Sequence, residues 1–266
     1  MTCLNLLFTE WWSDVVDPLE DVLCIIPARY SSTRFPGKPL VPLIGVPMVI
    51  WVARACEVAL GRDRVIIATD DSRIRDVASQ HGFTSQDSSP SALTGTDRVA
   101  EVAQRFSAST IVNVQGDEPL VSPADIREIA RVHKYSPDWV VNGYTSLGIN
   151  EDPQRTTIPK VVLDENESLL YISRRDIPAS KSEFSSKAVQ TYFKQVCIYA
   201  YSQNQLASFY SRKEKSSLEA REDIEILRFL EMGQRVRMIR TQATSLAVDT
   251  PEDVVPAENA LRESGR

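Results

Sequence analysis

Val22-Leu-Cys-Ile-Ile26 runs into Pro27-Ala-Arg-Tyr-Ser-Ser-Thr-Arg-Phe-Pro-Gly-Lys-Pro-Leu40, and Met48 to Leu60 follows with apolar residues at helical spacing. A short run of strand formers, a basic loop and an amphipathic segment make a strand, loop and helix unit. A second unit follows directly. Arg64-Val-Ile-Ile-Ala-Thr69 predicts a strand, Asp70-Asp71 an acidic turn, and Ser72 to His81 a helix closed by Gly82. Strands alternating with helices predict an α/β fold with a parallel sheet.

The pattern continues with a helix from about Thr96 to Phe106 and a strand Thr110-Ile-Val-Asn-Val114 that ends in Gln115-Gly-Asp-Glu-Pro119. Ser122 or Pro123 opens a further helix to about Tyr135. From about Thr156 to Tyr201 the pattern changes. Pro159 to Leu163, Leu169 to Ser173 and Lys194 to Ala200 are strand-like runs between polar turns, which predicts an inserted or appended β-rich lobe. Ser217 to Met232 predicts one helix with Ser217 as cap and Gly233 as stop, Val236 to Ile239 a last strand, and Val248-Asp-Thr-Pro-Glu-Asp253 the start of a terminal helix. The expected division is an N-terminal extension over 1–21, a nucleotide-binding core over 22–155, the lobe over 156–201 and a return to the core over 202–266.

With 266 residues, 42% hydrophobic and 25% charged, the chain is in the ordinary globular range. A net charge of −6 argues against a sequence-independent grip on nucleic acid, so an anionic ligand must be met by a local basic cluster. The four cysteines, at 3, 24, 56 and 197, have no metal-ligand spacing and read as small hydrophobes in a reducing cytoplasm. No stretch reaches the roughly 20 apolar residues that span a bilayer, and the first twenty residues lack the pattern of a signal peptide. No membrane association is expected. Trp11 and Trp12 receive no role.

The first loop brings Arg29, Arg34 and Lys38 close together in sequence, with Ser31, Ser32, Thr33 and Gly37 between them. Cations, hydroxyls and free amides after a buried strand are what a triphosphate needs, although the spacing is not that of a Walker loop. Asp117 sits just past an apolar strand and can hold Mg²⁺, and Asp249 can supply a second carboxylate. Gly116 would let backbone approach a ligand. Thr94-Gly-Thr-Asp-Arg98 either reads a nucleobase edge or caps its helix through Thr96, and both are compatible. Asp70-Asp71 reads as a turn at a helix N-terminus, and His81 and His133 as solvated or helix-terminal residues.

Taken together, Ile26 to Leu40, Ala68-Thr-Asp-Asp71, Thr94 to Arg98, Val112-Asn-Val-Gln-Gly-Asp-Glu-Pro119, Tyr171-Ile-Ser-Arg174, Ile198-Tyr-Ala-Tyr201 and Val248 to Asp253 resemble the 3-deoxy-manno-octulosonate (Kdo) cytidylyltransferases, or CMP-Kdo synthetases. The resemblance implies a Rossmann-like nucleotidyltransferase fold with a mostly parallel central sheet and a smaller β-rich dimerisation lobe. It implies a cytoplasmic homodimer that uses CTP, Mg²⁺ and a 2-keto-3-deoxy sugar acid in lipopolysaccharide or capsule synthesis. By position it implies phosphate contacts from Ala28, Arg29, Ser32, Arg34 and Lys38, cytidine contacts from Thr96, Asp97, Arg98 and Gln115, and metal binding by Asp117 and Asp249. Arg34, Lys38 and the two aspartates would be catalytic. Arg174, Gln195, Tyr199, Glu222 and Glu225 would meet the sugar.

Two positions depart from the family pattern. Gln195 stands where a His is usual before the Ile-Tyr-Ala-Tyr strand, and Ile226 stands where the helix usually has Gln. Both are expected on the sugar side, which suggests an altered acid such as 8-amino-Kdo. Competing readings are a cytidylyltransferase for a nonulosonic acid and a catalytically silent nucleotide-binding regulator.

Overall fold

The computed structural model describes residues 19–31, 35–148, 151–179, 192–241 and 246–265. Strand β1 (Val22–Pro27) leads through a small hairpin, β2 (Pro42–Leu43) and β3 (Val46–Pro47), into α1 (Met48–Leu60). There follow β4 (Val65–Thr69), α2 (Ser72–Gln80), β5 (Thr84–Asp87), α3 (Gly95–Ala103), β6 (Thr110–Val114), α4 (Pro123–Tyr135) and β7 (Val140–Ser146). Next come β8 (Lys160–Leu163), β9 (Leu169–Ser173), β10 (Phe193–Tyr201) and α5 (Gln203–Ser211). The chain closes with α6 (Ser217–Glu222), α7 (Ile226–Glu231), β11 (Val236–Arg240) and α8 (Val254–Glu263).

The central sheet has the order β11-β7-β10-β6-β1-β4-β5. Its pairs β6-β1, β1-β4, β4-β5 and β11-β7 are parallel, whereas β10 is antiparallel to both β6 and β7. Both faces are covered, which is why β1 is apolar throughout: Cys24 and Ile26 pack with α1 and α4, while Leu23 and Ile25 pack with α3 and α5. A third cluster, with Leu43, Met48, Val248 and Leu261, seats α8 beside the small hairpin.

The placement of β10 alters the expected lobe. Only the hairpin β8-β9 branches off the main strand order, joined to β10 through Phe193 and Lys194 and to β11 through the bridge of Ser168 to Arg237, and the rest of β10 runs through the sheet interior. β10 pairs with β7 through a bulge between Val196 and Tyr199. Asn142 fills that irregularity by donating from Nδ2 to the carbonyls of Val196 (2.9 Å) and Ile198 (2.8 Å).

Two helix boundaries also differ from the sequence reading. The segment from Ser217 to Met232 is two short helices, broken where Asp223 adopts a left-handed conformation, and the cap is Ser216 rather than Ser217. Its backbone amide donates to Glu219. The cap of α3 is Thr94 rather than Thr96, its hydroxyl accepting from the Asp97 amide at 3.1 Å. Asp71 caps α2 as the acidic turn predicts.

His133 is not solvated. It lies in the last turn of α4, fully buried, with Nδ1 2.9 Å from the Thr110 hydroxyl and Nε2 3.4 Å from Gln205 Oε1. Burial lowers its pKa to about 4, with the Gln205 contact opposing. The unfolded chain takes up a proton on this ring near pH 6.5, whereas the folded chain resists until about pH 4. The neutral ring therefore contributes nothing to the pH dependence above 6.5, and stability falls as pH drops through that window. The expected loss is roughly 3 kcal/mol between pH 7 and pH 4, and urea unfolding of wild type against His133→Gln across this range should show a shallower acid slope for the variant.

Candidate active site

The C-terminal ends of β1 and β6 open onto one cleft of about 630 Å³, where parallel sheets characteristically place their ligands. Pro27, Ala28 and Arg29 form one wall, and the Ala28 amide is tied to the Ala68 carbonyl at 2.9 Å. The loop then returns through Gly37, whose amide donates to the Tyr30 carbonyl. Gly37 has φ +72° and the Tyr30 ring lies 3.2 Å from where a Cβ would be, so a side chain there would be strained by the conformation and crowded by the ring. That turn delivers Lys38. Ser32 and Arg34 lie outside the described residues.

Lys38 Nζ stands between two carboxylates, 2.6 Å from Asp117 Oδ2 and 3.3 Å from Asp249 Oδ1. The aspartates are 132 residues apart in sequence and meet because the Val248 amide donates to the Asp117 carbonyl at 3.0 Å. Burial lowers the lysine pKa, but the charges of Asp117 and Asp249 outweigh it and the ammonium is held above its ordinary value. Gly116 is required for a different approach from the one expected. A Cβ there would come within 3.0 Å of the Pro27 carbonyl, so this glycine lets two strand ends close on each other.

Next to Asp117, Glu118 is buried, and desolvation together with the Asp117 charge raises its pKa to about 7. Gln115 is held by its amide to the Cys197 carbonyl, at the bulge of β10. Across the cleft, Lys194 pairs with Glu151 at 2.5 Å. Glu118 and Lys194 line the cleft without having been singled out from sequence: a lysine at the start of a strand and a glutamate in a turn carry no local signal of burial.

Arg98 lines the cleft nearly buried, beside the Ser88 hydroxyl and 3.2 Å from Asp70 Oδ1. Burial lowers its pKa and Asp70 opposes that. The side chains of Thr96 and Asp97 turn inward and do not line the cleft. Thr96 donates to Glu225, which also accepts from the amides of Gly95 (2.9 Å) and Thr96 (2.8 Å), so Glu225 neutralises the open N-terminus of α3 from another element. Asp97 accepts from Arg228 Nη1 (2.9 Å) and Nη2 (3.1 Å), and Arg228 also donates to Glu219 through Nε (2.6 Å) and Nη2 (2.7 Å). Arg228 lies over the Phe209 ring, at the end of a stack that continues through Phe229 and Tyr201 to Tyr199 in the cleft wall.

Arg174 reaches the cleft with its guanidinium occupied by the carbonyls of Glu222, Thr156 and Asp223. Glu222 itself is not in the cleft lining; its carboxylate accepts from the Ser173 hydroxyl and the Arg174 amide. Lys160, fully buried, gathers the carbonyls of Arg155, Ile158 and Arg174 and so fastens this rim.

A family model described as cytidylyltransferase matches residues 23–237. The chain is 40% identical over 247 residues to the 3-deoxy-manno-octulosonate cytidylyltransferase of Syntrophotalea carbinolica, covering 91% of this chain and 98% of that protein. It is 42% identical over 246 residues to that of Solibacter usitatus, covering 91% and 95%. It belongs to the 3-deoxy-manno-octulosonate cytidylyltransferase family. A solved structure, CMP:2-keto-3-deoxy-manno-octonic acid synthetase complexed with CTP, superposes with a TM-score of 0.82 at 31% identity over 92% of this chain and 99% of the other. The mostly parallel α/β fold expected from sequence is thereby the fold of this family.

The two departures from the family pattern separate in space. Gln195 lines the cleft, with Nε2 donating to Asn142 Oδ1 at 2.8 Å. Ile226 is buried in the apolar cluster with Leu227 and Phe229, outside the cleft lining, so only one of the two departures reaches the site. Among the described residues no helix is long and apolar enough to cross a membrane.

Replacing Arg228 by Met would leave Asp97 and Glu219 buried without their cation. Urea unfolding should show a loss of about 3–5 kcal/mol, and a loss below about 1 kcal/mol would contradict the role given to this network.

Proposed function

We propose that this chain is a Mg²⁺-dependent cytidylyltransferase that joins CTP to the sugar acid Kdo, giving CMP-Kdo and pyrophosphate. The observation that carries the reading is the Lys38, Asp117 and Asp249 group at the strand ends, in a chain of this family. Supporting it are the cytidylyltransferase activity for which the relatives are named and the CTP held by the similar synthetase.

The sugar's anomeric hydroxyl attacks the α-phosphorus of CTP; a new P–O bond forms, the bond to the β-phosphate breaks, and pyrophosphate leaves. Arg29 and Lys38 meet the phosphates as cations, and the closed wall at Ala28 and Gly116 positions them. Two carboxylates that already converge on one ammonium suit Mg²⁺, which takes one or two such ligands and completes its shell with phosphate and water. Bound by Asp117 and Asp249, it would neutralise phosphate charge and lower the pKa of the attacking hydroxyl. Gln195, Tyr199 and Arg174 stand in the part of the cleft assigned to the sugar, and Glu225 and Glu222 act by fixing α3 and the Arg174 turn. A homodimer formed through the β8-β9 hairpin is part of this reading; Leu170 on that hairpin is exposed.

A second reading, with 8-amino-Kdo as the acceptor, rests on Gln195, which lines the cleft at the position where the resemblance leads one to expect a His. A pyrophosphate-release assay with CTP, Mg²⁺ and a panel of Kdo, 8-amino-Kdo and nonulosonates separates the two readings, and silence with every acid would favour a nucleotide-binding regulator. In the same assay Asp117→Asn should lower kcat by about 10²-fold or more; full Mg²⁺-dependent activity in that variant would overturn the metal assignment.

A further inference from the structure

The ammonium of Lys38 occupies the position between Asp117 and Asp249 that a divalent cation would take. All three side chains are largely shielded, with relative exposures of 16%, 26% and 23%, so their charges are less screened than those of a surface pair. Two carboxylates and one ammonium leave a net charge of −1 at this point. A metal ion arriving alone must either displace the lysine, which then loses both partners, or bind beside a positive charge. Neither is favourable while Lys38 has nowhere else to go.

A triphosphate changes this balance because it offers Lys38 a new anionic partner in the same cleft. The lysine is well placed to make the exchange: it follows the left-handed Gly37 at the start of a single turn, on a long side chain with three donors. We infer that Lys38 is a tethered counter-ion that keeps the Asp117 and Asp249 pair closed to metal until nucleotide phosphates draw its ammonium away, so that metal and nucleotide enter together. The inference rests on the metal assignment proposed above and adds an order of events to it. It also gives Lys38 two successive partners, the carboxylates in the free enzyme and the phosphates in the complex.

The test is Mn²⁺ binding to the full chain, read from the free-ion signal in electron paramagnetic resonance without any turnover. Wild type without nucleotide should bind Mn²⁺ weakly, and with CTP the protein should lower the free-ion signal further than the same CTP does without protein. Without nucleotide, Lys38→Met should bind Mn²⁺ at least about tenfold more tightly than wild type, since a like charge has been removed from the site. Lys38→Arg, which keeps the charge, should remain weak, and Asp117→Asn added to Lys38→Met should abolish the gain. Lys38→Gln offers a second neutral variant if the methionine variant does not fold. No tightening in the neutral variants, or equal tightening in Lys38→Arg, would overturn the counter-ion role. Failure of wild type to bind Mn²⁺ even with CTP would instead overturn the metal assignment on which it rests.

Discussion

A guanidinium cannot be buried without anions around it, and Arg228 is buried completely. Asp97 and Glu219 supply the charges, and the Phe209 ring covers the remaining face. That requirement draws α3, α5, α6 and α7 onto one point and fixes the first turn of α3 against the sheet. Glu225, three residues before Arg228, then reaches the free amides of α3. One buried cation thus governs how the cleft's inner wall is assembled, although Arg228 is not part of the cleft lining.

The opposite side of the cleft is organised by charge exchange rather than by burial of charge. Lys38 satisfies Asp117 and Asp249 and can satisfy phosphates instead, because its long side chain carries three donors on a mobile ammonium. The site therefore combines a rigid wall, set by the ion network at Arg228 and the carbonyls gathered by Lys160, with a wall whose ion pairs can be re-partnered. Such a division suits a reaction in which catalysis is mostly positioning and neutralisation of phosphate charge.

Much of this was legible in sequence. The strand at Val22, the helix from Met48 to Leu60 and the turn at Asp117 follow from local periodicity and turn chemistry, and their boundaries in space agree closely. The long-range pairings were not legible. Asp97 looks like a ligand-binding acid in its motif, yet its partner lies 131 residues away in another helix. Ile226 looks like a sugar-side substitution beside Gln195, yet the break at Asp223 turns it into the apolar core. A helix that is continuous by periodicity gave no warning of that break, because a left-handed aspartate is a response to tertiary demands.

The order of strands and helices, the basic loop and the identity of the chemical groups were determined by the sequence itself, since each depends on residues adjacent in the chain. Tertiary structure decided which of those groups face one another. It sent β10 antiparallel through the centre of the sheet, turned Asp97 and Glu222 to structural duty and brought Asp249 to Asp117 beside the backbone hydrogen bond from Val248. The reason is that a charged side chain is placed by the nearest compensating partner in space, and spacing along the chain carries no information about where that partner will be.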